Sequence, residues 1–240
     1  GPIYVEGAEV GDILKVSIED IEVADRGVAM VIPGAGFLAD QNVEETKLII
    51  PIEDGKAHLL GLELPIRPMI GAIGVAPEEG DSYPTNTPWN HGGNMDTKDI
   101  TAGTTLYFPV RQDGALLALG DAHALMGDGE VGVTGLEIQA TVKLKLDVIK
   151  DKELAWPMLE TEEATMLLVS GDDVEDALRK GLEHTLPLLQ KGLDLSWNKA
   201  TILASLSLDA KISQLVDPKI TVRYPIPKSI LSTERILEIL

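Results

Sequence analysis

The chain has 240 residues, 44% of them hydrophobic, and its formal net charge at pH 7 is −19. That much apolar content can build a sizeable core in one large or two modest domains. So acidic a chain, with its Lys and Arg scattered, argues against nucleic-acid binding. Cysteine is absent, which excludes disulfides, thiolate nucleophiles and Cys-ligated zinc or iron–sulfur centres, so any metal must take His, carboxylate or carbonyl ligands.

The chain opens GPIYVEGAEVGD, with no basic-then-apolar signal region, and no apolar run approaches the roughly 20 residues of a membrane helix. The expectation is a soluble, cytoplasmic protein without a membrane partner. Period-2 alternation predicts strands at Ile13–Val23 and Val131–Ile149. Shorter apolar runs at Val28–Ile32, Leu48–Ile52, Met69–Val75, Thr105–Val110 and Leu116–Leu119 lie between turn clusters such as PGAG (33–36), EDG (53–55) and RQDG (111–114). The string PGAGFLAD (33–40) reads either as a pocket-shaping loop or as a simple turn. Residues 1–150 thus read as a jelly-roll-like β-sandwich body. The stretch Ala76–Ala102 has almost no aliphatic periodicity, and loops of that length in compact domains are usually functional or disordered.

After residue 150 the pattern changes. A strand is predicted over Glu163–Ser170, and then Asp172–Leu186 has acids in its first turn and apolar residues at helical spacing. Pro187 should end or kink that helix near Leu186. A second helix is predicted over Lys199–Leu208, followed by strands at Lys211–Val216 and Ile220–Tyr224. The overall expectation is a mainly β fold, with body 1–150 carrying the chemistry and a smaller α+β lobe at 151–240, its helices near 173–186 and 199–208.

Of the four histidines, His58 in a strand and His184 in the predicted helix read as structural. His91 opens HGGNMD (91–96) in the long loop, and His123 sits in GDAHALMGDGE (120–130). That second segment places Asp121, His123, Asp128 and Glu130 within ten residues. In a strand, Asp121 and His123 would share a face. With His91, Asn94 or Asp96 added, this is a ligand set for a divalent cation with an open position. From spacing alone two other readings stay open, a solvated Gly/Asp turn and a Ca²⁺ loop. The chain has no serine elbow and no P-loop string, and no G-x-G-x-x-G lies on a strand–helix junction.

These segments, in their order and spacing, resemble the acetamidase/formamidase family: GPIYVEGAEVGD (1–12), IPGAGFLAD (32–40), IGAIGVAP (70–77), GGNMDTKDITAGTTLYFPV (92–110), GDAHALMGDGEVGVTGLEI (120–138) and, more loosely, DAKISQLVDPKITVRYPIPKSIL (209–231). Met126 stands where many relatives carry Gln, and Ala122 where Cys or Gly is common. The resemblance implies a β-sandwich body with a smaller α+β lobe, a further segment ahead of Gly1, a divalent metal, and homodimers or higher assemblies. The activity it implies is a metal-dependent amidohydrolase acting on formamide, acetamide or another short amide. A hydrolase of cyclic or larger amides is a further option on the same scaffold, and a non-catalytic sandwich binding Ca²⁺ or carbohydrate is the alternative class. The expected metal ligands are His123, Asp121, Asp96 and His91, with zinc favoured and Ca²⁺ or Mn²⁺ admitted. Glu130 is the expected proton shuttle, with Asp128 beside it. Asn94, Gly93, Met126 and Glu137 are expected to line the substrate pocket, and Glu137 is the reserve acid.

Overall fold

The computed structural model describes residues 1–42 and 44–240. The first half contains β1 (Ile13–Val23), β2 (Arg26–Val31), β3 (Thr46–Glu53), β4 (Lys56–Leu59), β5 (Leu62–Pro65), β6 (Met69–Gly74) and β7 (Gly92–Asn94). There follow β8 (Thr105–Pro109), β9 (Ala118–His123), β10 (Ala140–Ile149), β11 (Met158–Glu160) and β12 (Ala164–Gly171). The remainder is α1 (Val174–Leu193), α2 (Trp197–Ser207), β13 (Lys211–Gln214), β14 (Ile220–Arg223), β15 (Ile226–Pro227) and α3 (Thr233–Ile239). The chain is mainly β, with its helices in the C-terminal part, as the sequence implies.

The strands form three sheets. One of eight strands runs β10-β1-β8-β11-β12-β14-β13, with β15 also paired to β12. A four-stranded sheet runs β2-β3-β4-β5, and a three-stranded one β7-β6-β9. The boundary expected at residue 150 falls inside the largest sheet, because β8 pairs with β1 on one edge and β11 on the other.

Alternation explains how that sheet is covered. Leu14, Val16 and Ile18 of β1 join Leu106 and Phe108 in one core with Ile70 and Ile73 of β6. Ile13 and Tyr107 face the opposite way, into a core shared with Leu186 and Leu189 of α1 and Ile236 of α3. β12 is buried along its whole length because both its faces are covered: Met166 and Leu168 enter the first core, Leu167 and Val169 the second. Each fully buried side chain of this size contributes about 1.5–3 kcal/mol.

Most predicted elements shift by a residue or two at their ends, and three change more. The helix begins where expected, with the Asp173 carboxylate accepting from the Asp176 N–H at 2.8 Å, but it runs through Pro187 to Leu193. Burial of Leu188 and Leu189 against the second core outweighs the hydrogen bond that Pro187 cannot donate. The strand expected from Val131 starts only at Ala140, because Glu130 (φ 43°) and Val133 (φ 73°) turn the backbone left-handed. The run Leu116–Leu119 becomes a strand displaced to Ala118–His123, since Ala115 and Leu116 also have positive φ. That displacement puts Asp121 and His123 on the strand itself.

Candidate active site

His123 ends β9 opposite Met69 of β6 and is fully buried. Gly135, on the loop before β10, packs directly on the imidazole at Nδ1, where any side chain would displace the ring. The other ring nitrogen, Nε2, looks onto three carboxylates: Glu137 Oε1 at 3.3 Å, Asp121 Oδ1 at 3.5 Å and Asp96 Oδ1 at 3.8 Å. All three distances exceed ordinary hydrogen-bond lengths. His123 Nε2 and Asp96 Oδ1 are buried without any hydrogen-bond partner.

The elements that deliver these groups are held closely. Gly71 of β6 lies under Asp96 and Asp121, so that a Cβ there would strike both carboxylates. The N–H of Asp96 donates to the Gly71 carbonyl at 3.2 Å. Asn94 at the end of β7 donates from Nδ2 to Asp96 Oδ2 at 2.8 Å and to Asp217 Oδ2 at 3.0 Å. Asp217 comes from the β13–β14 turn, where Gln214 Oε1 accepts from the N–H groups of Val216 and Asp217. Glu130 is buried on the 127–133 loop. The Gly129 N–H donates to Ser213 O and the Leu215 N–H to Gly129 O, tying that loop to β13.

Asn94, Asp96, Asp121, Glu130, Glu137 and Asp217 converge on one end of a cavity of about 930 Å³, and Gly93 also lines it. Of the expected site residues, three depart from their expected roles. Asp128 does not face this cavity. Arg223 Nη2 holds its Oδ1 at 2.8 Å and Lys98 Nζ its Oδ2 at 3.1 Å, which makes it an ion-pair partner. Met126 lines a smaller neighbouring cavity of about 290 Å³ instead. His91 lines the large cavity, but the reversal at Gly92 and Gly93 (φ 96° and 91°) carries it away from His123, and its ring stacks on Tyr83 at 5.0 Å between centroids. His58 lies in β4, and His184 packs edge-on to Trp156. Asp217 and Gly135 were not anticipated. Asp217 sits within the 209–231 segment, where Asp-Pro is a turn signal, but nothing in that signal says which loop it meets.

The electrostatics follow from crowding. Burial alone would favour a neutral His123 imidazole, but Asp121, Glu137 and Asp96 outweigh it and push the ring up to about 11. Burial, with Asp96 next, raises Glu130 to about 8. Burial, with Glu130 next, raises Asp217 to about 7. Asp96 lies well above the carboxylate range, chiefly through burial, with Asp217 and Asp121 adding to it. Asp121 alone is lowered, first by His123.

A divalent cation would relieve this repulsion, and the donors suit one. The ligand atoms of Asp96, Asp121 and His123 lie within 4.8 Å of one another, as do those of His123, Glu130 and Glu137. Two donors each about 2.0–2.1 Å from one tetrahedral ion stand roughly 3.3 Å apart, and the Nε2–carboxylate distances are of that size.

The same shifts set a pH dependence for the metal-free protein. Above about pH 5, Glu130 (up to about pH 8) and Asp217 (up to about pH 7) hold protons that the unfolded chain, with values of 4.5 and 3.8, has lost. The folded state binds more protons there, so stability falls as pH rises. We expect Tm in chelator to fall across this window and a divalent cation to raise it most at the alkaline end. A Tm that climbs with pH would contradict the crowding.

Comparison with known proteins gives the arrangement its context. The Acetamidase/Formamidase family matches residues 1–87 and 79–233. A crystal structure of a predicted acetamidase/formamidase from Thermoanaerobacter tengcongensis is 46% identical, superposes with a TM-score of 0.94, and is matched over 98% of this chain and 78% of its own. An acetamidase structure from Bacillus halodurans is 42% identical with a TM-score of 0.92, over 96% of this chain and 80% of that one. Formamidase from Methylophilus methylotrophus is 29% identical over 213 residues, 63% of this chain and 51% of that protein. The chain therefore spans about half the length of the curated relatives it matches. With the family matched along nearly all of its residues, the chain belongs to the acetamidase/formamidase family.

Proposed function

We propose that the protein is an amidohydrolase cleaving a linear amide C–N bond to a carboxylate and ammonia, with a divalent cation held by His123, Asp96 and Asp121. The observation that carries this reading is the buried, unpartnered Nε2 of His123 facing three carboxylates at the foot of a large cavity. The names of the relatives, formamidase and acetamidase, support the reaction class. An imidazole among the donors favours zinc over calcium, which prefers oxygen ligands alone, and it also weighs against a purely Ca²⁺-binding or carbohydrate-binding module.

When bound, such an ion supplies Lewis acidity, acidifying water and polarising the amide carbonyl. The chain's own residues do the rest. Glu130, buried beside His123 and Glu137, would be drawn back to its carboxylate form by a cation's charge; in that form it takes the proton released as the water oxygen bonds to the carbonyl carbon, and returns it to the departing nitrogen as the C–N bond breaks. Glu137 accepts from the Gly135 N–H at 3.1 Å, which keeps one oxygen beside His123. Asn94 holds Asp96 and Asp217 in register. No helix among the described residues is long and apolar enough to cross a membrane, and we place the protein in the cytoplasm. Exposed Ile49 and Leu62 on the four-stranded sheet, with Leu60 in its β4–β5 turn, support a homo-oligomer.

The test is ammonia release from formamide and acetamide before and after chelation. Activity should vanish with the metal and return with zinc more fully than with calcium. Full activity in protein shown to be metal-free would remove the ion from the reaction.

A further inference from the structure

We infer, resting on the amidohydrolase reading above, that the preferred substrate is a neutral amide carrying a bulky apolar group, rather than formamide or acetamide. The argument starts from size. The cavity above the His123 cluster measures about 930 Å³, at the upper end of the roughly 300–1,000 Å³ that accommodates drug-sized ligands. A water occupies about 30 Å³, and acetamide only a few times that. A short amide at the cluster would leave most of the space to solvent.

The walls say what the remainder suits. Away from the carboxylates the wall carries apolar Val75, Pro77, Tyr83, Pro84, Leu116 and Leu119, interspersed with the uncharged polar groups of Thr85, Asn86 and Thr134 and with His91. Tyr83 stacks on His91 with 12° between the ring planes, which gives a flat aromatic surface to one side. Apolar atoms brought here from water gain affinity in proportion to the area they bury. Charge narrows the class further. Five carboxylates line the cavity, and among the described residues no Lys or Arg does, so an anionic group on the substrate would be desolvated with no cationic side chain to receive it. The amide nitrogen and carbonyl belong at the carboxylate end, and the hydrocarbon part extends along the apolar wall.

The experiment is a series of kcat/KM values on the intact metal-loaded protein with formamide, acetamide, butyramide, hexanamide, phenylacetamide and the anionic succinamate. Each added methylene should raise kcat/KM by about fourfold while the wall is being covered. Phenylacetamide should exceed acetamide by at least about tenfold, and succinamate should fall about tenfold below hexanamide. Ala118 is exposed and lines the cavity, so Ala118→Trp should fill part of it and lower the phenylacetamide-to-acetamide ratio about tenfold. Turnover in which formamide or acetamide has the highest kcat/KM, or in which succinamate matches hexanamide, would overturn the inference and leave the amidohydrolase reading standing. Failure of every amide to release ammonia would overturn both.

Discussion

Glu130→Gln is expected to lower kcat by about 10²–10⁴-fold while the fold and the metal content stay as they are. The glutamine preserves the volume of a side chain that is only 7% exposed, so the packing of the 127–133 loop is retained, and what is lost is the capacity to gain and release a proton. Glu130 is also within ligand distance of His123 and Glu137, so metal must be assayed in the same sample. A fall in metal content would make Glu130 a ligand, and undiminished turnover would take it out of the reaction. Proton transfer is assigned to Glu130 rather than Asp128 because Asp128, although only two residues away, is already neutralised by Arg223 and Lys98.

Arg223→Met is expected to destabilise the protein by about 3–5 kcal/mol, a fall in Tm on the order of 10 °C. The Arg223 side chain is 0% exposed and uses its planar fork in several directions at once. Nε donates to Asp99 Oδ2 at 2.9 Å and Nη2 to Asp128 Oδ1 at 2.8 Å, while Nη1 donates to Ile212 O and Ser213 Oγ at 3.1 Å each. A single buried cation thus fastens the loop after Asp96, the loop carrying Glu130, and β13. Without it, Asp99 and Asp128 keep only the lysine and arginine at their outer sides. Arg223→Lys preserves the charge but not the fork, and should recover only part of the loss. A melting curve within a degree or two of the parent for Arg223→Met would show that these bonds contribute little.

How much of this was legible beforehand depends on the range of the interaction. β1 matches its expected span residue for residue, because hydrophobic alternation is written locally. The start of α1 was equally readable from its acidic first turn. β7 and β11, with three residues each, and the β4–β5 hairpin closed by Leu60 and Gly61 carry too little periodicity to announce themselves. In the site, Asp121 and His123 do meet, at 3.5 Å, but Asp121 is itself left-handed (φ 57°), a departure from regular alternation that the two-residue spacing did not announce. Asp217 was beyond reach, since it meets Asn94 across 123 residues of sequence. Asp128 and Glu130 could be told apart only once the buried guanidinium between β13 and the 127–133 loop was placed.

The continuous largest sheet has a consequence for how the molecule comes apart. With β11 hydrogen-bonded to β8, and β12 to β11, neither half of the chain owns a closed set of ladders. A break near residue 150 would strip one edge of β8 of its partner, leaving unpaired peptide groups ready to template pairing with another chain. The two halves therefore share one fate on heating, and loosening at the helical end is transmitted along the ladder toward the strand that flanks β1, instead of being absorbed at a hinge.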